Sequence, residues 1–450
     1  MRENVDLIIT NGLLVTLDPN RRVFKGSIAI KDDTIVAIDK SSKVEGGYIG
    51  EETIDAGHMA VLPGLIDAHT HDLQILLRMW PWRRRIHRPK TSSTWLSVLI
   101  PFESALSKEE AYLSGLLSCI NMIQVGTTCH VDHGGQFHSN EVGRAMETTG
   151  VRGLLSRSTM DMGAPEGAIT STADAVRANI RLVEEWNGVA NGRIRAWFSL
   201  RQIMVCSEEL WVKFKELAAK YGVGIQTHLA EALYEVDWAL ERWGQRPVEH
   251  LYDTGFLGPE ILIAHMMYLT AQEVQMVKER DVKIVHCPTF NLNRTRVPQM
   301  LAQSITVGLG SDGGAKQSLD LFNEMRVASV VHRAREIPNY DTTVLTENDL
   351  LSMATIYGAK AILWDDEIGS LEVGKKADMI LIDLQKAHIQ PVEDILTTLV
   401  YRVGGSDVDT TIIDGKIVMQ NRKILTIDEE EVLDEVEKKA PTILSQFSLE

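Results

Sequence analysis

Cysteine is scarce in this chain. Its 450 residues hold four, Cys119, Cys129, Cys206 and Cys287, scattered and with no Cys-x-x-Cys pair. That argues against a disulfide frame and against a cysteine-based zinc site, and it fits a reducing compartment. Long apolar runs are missing as well, and no stretch approaches the roughly 20 residues of a membrane span. The opening Met1-Arg2-Glu3-Asn4-Val5-Asp6 is too polar for a secretory signal. Positive charge is in deficit, with 46 Lys and Arg against 62 Asp and Glu, for a formal net charge of −16. That balance excludes nucleic acid or an anionic membrane as the main partner. A cytoplasmic protein is expected. There is no internal repeat and no low-complexity tract.

What is present is ordinary for a globular protein, with 44% hydrophobic and 24% charged residues. The length allows one large domain or two to three average ones. One local basic cluster, Arg78, Arg83, Arg84, Arg85 and Arg88, reads as a solvated loop. Short β-rich pieces open the chain at 6–10, 13–16 and 27–30, broken by Asn11-Gly12 and Asp32-Asp33. Similar pieces return at 377–383 and 410–418. Alone, the first set would expose its edges. The two ends are therefore expected to pair into one small β-sandwich, residues 1–60 with 368–427. An acidic run, Asp428-Glu429-Glu430-Glu431, leads into an expected surface helix over 428–450.

Between the ends, residues 61–367 alternate strands and helices. Strands are predicted at 61–71, 126–132, 151–157, 194–200, 224–228, 261–265, 282–287 and 305–312, with helices such as 207–221 started by Ser207. Repeated β-α units predict a (β/α)8 TIM-like barrel, with a doubly wound open sheet as the alternative.

The stretch that organises the chain is Val61-Leu62-Pro63-Gly64-Leu65-Ile66-Asp67-Ala68-His69-Thr70-His71. Side chains alternate along a strand, so His69 and His71 point the same way at its end. His228 ends the fifth predicted strand, His265 the sixth and Asp312 the eighth. Barrels place catalysis at those ends. Each residue alone has a structural reading, but together they predict a metal site. Three neutral imidazoles and a carboxylate suit Zn²⁺, and Fe²⁺ is accepted by the same donors. A second ion would need a bridging group such as a lysine on the fourth strand, and Trp197-Phe198-Ser199-Leu200 has none. One divalent ion is expected. Such an ion lowers the pKa of a water toward ~7 and supplies hydroxide. Glu231, three residues after His228, is placed to carry a proton to the substrate.

Pro-Gly-Leu-Ile-Asp-Ala-His-Thr-His, Thr-His-Leu-Ala-Glu, Ala-His and Gly-Ser-Asp-Gly together resemble the amidohydrolase superfamily, over nearly the whole chain. Ser311-Asp312-Gly313-Gly314-Ala315 and Leu319-Asp320-Leu321-Phe322-Asn323-Glu324-Met325-Arg326 resemble its mononuclear aminohydrolases. These are the methylthioadenosine/S-adenosylhomocysteine deaminases, guanine deaminases and triazine hydrolases. The resemblance implies that His69, His71, His228 and Asp312 bind the metal. Asp312 would also take the proton from the attacking water. Glu231 would protonate a ring nitrogen, and His265 would orient the water or stabilise the adduct. It implies a hydrolase of non-peptide C–N bonds, acting on a cyclic amidine, and a homo-oligomer, dimer or tetramer.

Two departures bear on the substrate. Adenosine-type members carry a ribose-binding glutamate just before the tryptophan that matches Trp95, where this chain has Thr94. They also carry a histidine in Gly-Pro-His-Ser-Pro, where this chain has Ser199-Leu200-Arg201-Gln202-Ile203. Arg201 therefore stands at the histidine position. Arg157 matches a substrate-contacting arginine. Arg157 and Arg201 are expected to bind a carbonyl oxygen or an anion, and Trp95 to cap a flat ring together with Trp80 and Trp82. The expected reaction is deamination of an oxo-purine, a pterin or a related amino-heterocycle. The alternatives are a triazine hydrolase displacing chloride or alkylamine, and an S-adenosylhomocysteine/methylthioadenosine-type nucleoside deaminase. Glu231 weighs against dechlorination, since chloride leaves without a proton. A non-catalytic scaffold should have lost ligands, and every candidate is retained. His130, His133 and His138 are expected to be structural or on the surface. His286, with Cys287-Pro288-Thr289-Phe290-Asn291, is expected to shape the pocket.

Overall fold

The computed structural model describes residues 2–79, 95–336 and 344–446. These residues form two sheets. One has nine strands and comes from both chain ends: Glu3–Val15, Val23–Lys31, Thr34–Asp39, Tyr48–Asp55 and Met59–Pro63, then Met379–Asp383, Val408–Ile413, Lys416–Gln420 and Lys423–Ile424. The first strand pairs antiparallel with the second and parallel with the fourth, so the sheet is mixed. It closes around its own small core, in which Ile9, Ile28, Ile30 and Val61 meet Met379, Leu381 and Ile412. Burying those faces against each other is what joins the two ends.

The other sheet has eight parallel strands, each hydrogen-bonded to its neighbours in chain order: Leu65–Thr70, Thr127–Asp132, Arg152–Thr159, Ile194–Gln202, Ile225–Leu229, Ile261–His265, Lys283–His286 and Val307–Leu309. Their residues are almost all buried, as expected where helices cover one face and the barrel interior the other. A parallel bridge from Thr70 to Asp312 and an Asp312 N–H···O=C His69 bond of 3.0 Å bring the last strand back to the first. The connecting helices follow their sequence signals. Glu208–Tyr221 starts at Ser207, whose Oγ accepts the Leu210 N–H at 3.2 Å, and stops at Gly222 with φ +66°. The acidic run begins the helix Glu429–Gln446, with Asp428 accepting the N–H groups of Glu430 and Glu431. Among the described residues no helix is long and apolar enough to cross a membrane.

The stretch expected to be one strand from Val61 to His71 is two. Met59–Pro63 belongs to the terminal sheet, pairing with Leu13–Leu14 and Met379–Asp383, and only Leu65–Thr70 enters the barrel. Gly64 is the handover. Its N–H donates to Asp378 C=O at 3.0 Å, and a Cβ there would stand 1.9 Å from Thr128 Oγ1. The apolar run is continuous because both halves are buried, so its periodicity could not show the break.

A buried clamp holds the two sheets together. Arg152, at the start of the third barrel strand, donates from Nε and Nη2 to Asp378 (2.6 and 3.0 Å) and from Nη2 to Asp414 (2.8 Å). The two carboxylates hold the guanidinium charged although it is fully buried. Arg152→Ala leaves two buried acids without their cation, and should lower stability by about 3–5 kcal/mol, read from the denaturant midpoint. Arg152→Lys keeps the charge without the fork and should recover only part of that loss.

Candidate metal-dependent active site

Each residue singled out for metal chemistry lies at or just beyond the C-terminal end of a barrel strand. His69 lies within the first strand and His71 one residue past it. Thr70 between them faces the other way, its Oγ1 donating to Val131 C=O at 3.0 Å. His228 comes from the fifth strand and His265 ends the sixth. Asp312 follows the eighth. His265 and Asp312 adopt φ of +76° and +63°, a left-handed conformation that is unfavourable for both and must be enforced by their surroundings. Beside Asp312, Asp67 fixes the neighbouring backbone by accepting the Ser311 N–H (3.0 Å), the Ser311 hydroxyl and the His69 N–H (3.3 Å).

The donor atoms converge. Nitrogens of His69, His71 and His228 lie within 4.8 Å of one another, and so do donors of His69, His265 and Asp312. Asp312 Oδ1 is 3.8 Å from His69 Nε2 and 3.7 Å from His71 Nε2. His228 Nδ1 is 2.7 Å from Arg201 C=O and must donate to it, so its Nε2 carries a lone pair. That Nε2 lies 3.2 Å from His71 Nε2. Burial holds the proton affinity of all three imidazoles well below the ordinary histidine range, so the rings are neutral. His69 Nε2 is buried with no hydrogen-bond partner among the described residues. Neutral imidazoles turned toward each other, the His69 nitrogen among those left unmet, and a carboxylate alongside form a donor set that fits a divalent cation.

Glu231 joins them because the chain turns sharply after the fifth strand, with Ala230 at φ +51°. Glu235 pins that turn by accepting the N–H groups of Ala230 (2.9 Å) and Glu231 (2.8 Å). Gln202 Nε2 donates to Glu231 Oε2 at 3.0 Å. Burial raises the Glu231 carboxyl above its ordinary range and pushes Glu235 up to about 8 and Asp312 up to about 6. A cavity of about 360 Å³ opens over this group, walled by His265, Glu231, Asp312, Trp95, Tyr234 and Phe290 among others. That volume suits a small heterocyclic ligand.

Trp95 reaches the cavity wall, where its indole N–H donates to the Tyr234 hydroxyl at 2.7 Å. Arg201 also lines the cavity, but Glu103 takes its guanidinium at 3.0 and 3.4 Å, and Gln74 donates to the same carboxylate at 2.6 Å. Arg157 is not brought to this wall; its guanidinium stands 5.5 Å over the Phe137 ring. The pair of free arginines that pointed to an oxo-ring is thus one ion-paired residue and one remote residue. Arg78 donates to Gly314 C=O and to Asn121 and does not line this cavity. Arg83, Arg84, Arg85, Arg88, Trp80, Trp82 and Thr94 lie outside the described residues.

His133, expected to be structural or exposed, is packed against the cluster, its ring centre 4.1 Å from that of His228. Gln226 and Ser199 hold its two nitrogens at 3.2 and 3.3 Å. His130 pairs with Asp72 at 2.9 Å. His286 faces His332 at 3.1 Å and does not line the cavity. Its turn shapes the wall through Asn291, 3.4 Å from His265 Nδ1, and through Phe290. Nothing in the local sequence pattern separates His133 from its two neighbours.

Comparison with known proteins agrees with this geometry. The model of the amidohydrolase family matches residues 60–418. A 5′-deoxyadenosine deaminase of Methanosarcina mazei is 35% identical over 450 residues, covering 98% of this chain and 99% of its own. A 5-methylthioadenosine/S-adenosylhomocysteine deaminase of Thermoanaerobacter pseudethanolicus is 36% identical, with 98% and 100% covered. Among solved structures, a zinc-bound adenosine deaminase from Xanthomonas campestris superposes with a TM-score of 0.90 at 26% identity, over 99% and 100% of the chains. A zinc complex of atrazine chlorohydrolase from Arthrobacter aurescens shares the fold, with a TM-score of 0.88 at 22% identity over 97% and 100%. The chain belongs to the amidohydrolase family and is a hydrolase of carbon–nitrogen bonds other than peptide bonds.

Proposed function

We propose that this enzyme deaminates an adenine nucleoside of the 5′-deoxyadenosine, methylthioadenosine or S-adenosylhomocysteine kind. Water enters at the ring carbon that bears the amino group, and ammonia leaves. The observation that supports this best is Glu231 with a raised carboxyl pKa, held beside the His/Asp cluster in a chain that matches such deaminases from end to end. It displaces the oxo-purine and pterin reading, because Arg201 is neutralised by Glu103 and Arg157 lies off the cavity.

His69, His71, His228 and Asp312 would hold one divalent ion, with Zn²⁺ favoured by the imidazole-rich set. Such an ion supplies hydroxide at neutral pH by lowering the pKa of a water toward ~7. Asp312 would also take the proton from the attacking water. Glu231, raised by burial, donates to the ring nitrogen, which makes the neighbouring carbon electrophilic. His265 faces the same space and hydrogen-bonds the oxygen as the adduct forms. Trp95 and Phe290 supply flat apolar walls for the ring. Thr94 and Arg201 replace the glutamate and histidine of the adenosine-type pattern, so sugar recognition falls to other wall residues.

Ammonia release and the adenine-to-hypoxanthine absorbance change test the proposal on 5′-deoxyadenosine, methylthioadenosine, S-adenosylhomocysteine, guanine and pterin. At least one nucleoside should exceed guanine and pterin in kcat/KM by about a hundredfold or more. Turnover of guanine or pterin with none of the nucleosides would overturn it.

A further inference from the structure

Gln202 ends the fourth barrel strand and is 1% exposed, yet it lines the active-site cavity together with Arg201. Strict alternation would send only one of two successive residues inward. A bulge resolves this. Thr227 of the fifth strand lies opposite Leu200, and the next residue, His228, lies opposite Gln202, which leaves Arg201 as the extra residue. The bulged Arg201 gives its carbonyl to His228, and Gln202 is turned toward the next loop.

There its amide nitrogen meets two acids. Nε2 donates to Glu231 Oε2 at 3.0 Å and reaches Glu235 Oε2 at 3.4 Å. Glu235 in turn accepts both backbone N–H groups of the Ala230–Glu231 turn. The side-chain oxygen, Oε1, is buried with no partner among the described residues. In this orientation the amide nitrogen faces an oxygen of each acid, and the Glu235 oxygens already accept backbone N–H groups, so the nitrogen is the end of the amide that suits this side. A buried acceptor left unmet disfavours folding, which makes glutamine a poor choice for packing alone at this position.

We propose that Gln202 is a positioning residue for Glu231. By occupying Oε2 it fixes the carboxyl rotamer and leaves Oε1 as the oxygen that presents the proton to the ring. It also couples Glu231 to Glu235, so the acid and the turn that bears it move as one unit. This rests on the reading above that Glu231 moves the proton.

The test is a double-mutant cycle on the metal-loaded full-length enzyme, using whichever substrate the wild type deaminates best. Gln202→Met matches the volume and removes both donors. It should lower kcat by about 10- to 100-fold with KM within about threefold. In the Glu231→Gln background the same change should lower kcat by less than about twofold, because the group it positions is gone. Gln202→Asn keeps an amide one methylene short, and should fall between the two if Gln202→Met folds poorly. Metal content and melting temperature should match the wild type in the variants compared. A crystal structure of Gln202→Met should show the Glu231 carboxyl displaced or spread over several rotamers. The proposal fails if the two losses multiply, if Gln202→Met or Gln202→Asn keeps full kcat, or if Glu231 is unmoved in that crystal structure. Failure of the underlying reading looks different: Glu231→Gln alone would then leave turnover intact. The crystal structure still decides the positioning role in that event.

Discussion

Asp312→Asn should cut deamination by about a thousandfold or more while the chain stays folded. Two separate jobs are lost together. The amide supplies no negative charge to balance the ion beside His69 and His71, and it cannot accept the proton of the attacking water. Metal analysis separates the two losses. After dialysis against a chelator, the wild type should recover one divalent ion per chain and full activity on addition of Zn²⁺. Asp312→Asn should bind more weakly and stay slow even when saturated. Asp312 is anchored by its backbone N–H to His69 C=O and by Asp67 through Ser311, contacts that asparagine keeps, so the melting temperature should change little. Wild-type turnover in the asparagine variant would remove Asp312 from the chemistry.

Glu231→Gln should separate metal binding from catalysis. The ion is expected to remain, because Glu231 is not among the residues whose donors converge with those of His69. Turnover should fall by about 10²- to 10⁴-fold, the range for loss of a positioned general acid. Stability should hold or rise, since burial already penalises the ionised Glu231 carboxyl and the amide replaces it at equal size. Thermal melts on the ion-saturated variant, beside initial rates on 5′-deoxyadenosine, read both effects. A glutamine enzyme that works normally would mean that the ring receives its proton from elsewhere.

The residues brought together at the candidate site were legible in the sequence to unequal depth. His69, His71, His228, His265 and Asp312 could be picked out because each follows an apolar run, and a barrel sends the residues after such runs to one mouth. The pairing of the chain ends was readable for a similar reason, because neither β-rich end can bury its own face. The state of Arg201 was not readable. Its partner Glu103 lies 98 residues earlier, in the helix Ile100–Ala105, and no local pattern joins the two. An arginine that looked free for a substrate carbonyl was already spoken for, and that weighted the expected ring toward oxo-purines. The bulge was equally hidden, since it shows only when the fourth and fifth strands are set side by side. Without it Gln202 would count as an outward residue. Gly64 escaped notice because burial looks the same on both sides of a boundary between two sheets.

The split sheet also sets an order of events during synthesis. Met59–Pro63 emerges from the ribosome long before Met379–Asp383, the strand that pairs with it, and Arg152 appears well ahead of both acids that neutralise it. Until the last quarter of the polypeptide is translated, a nascent barrel must carry an open β-edge and an unmatched interior cation. Release of a prematurely terminated product would therefore yield an aggregation-prone species, even though every group proposed for the chemistry had already been made.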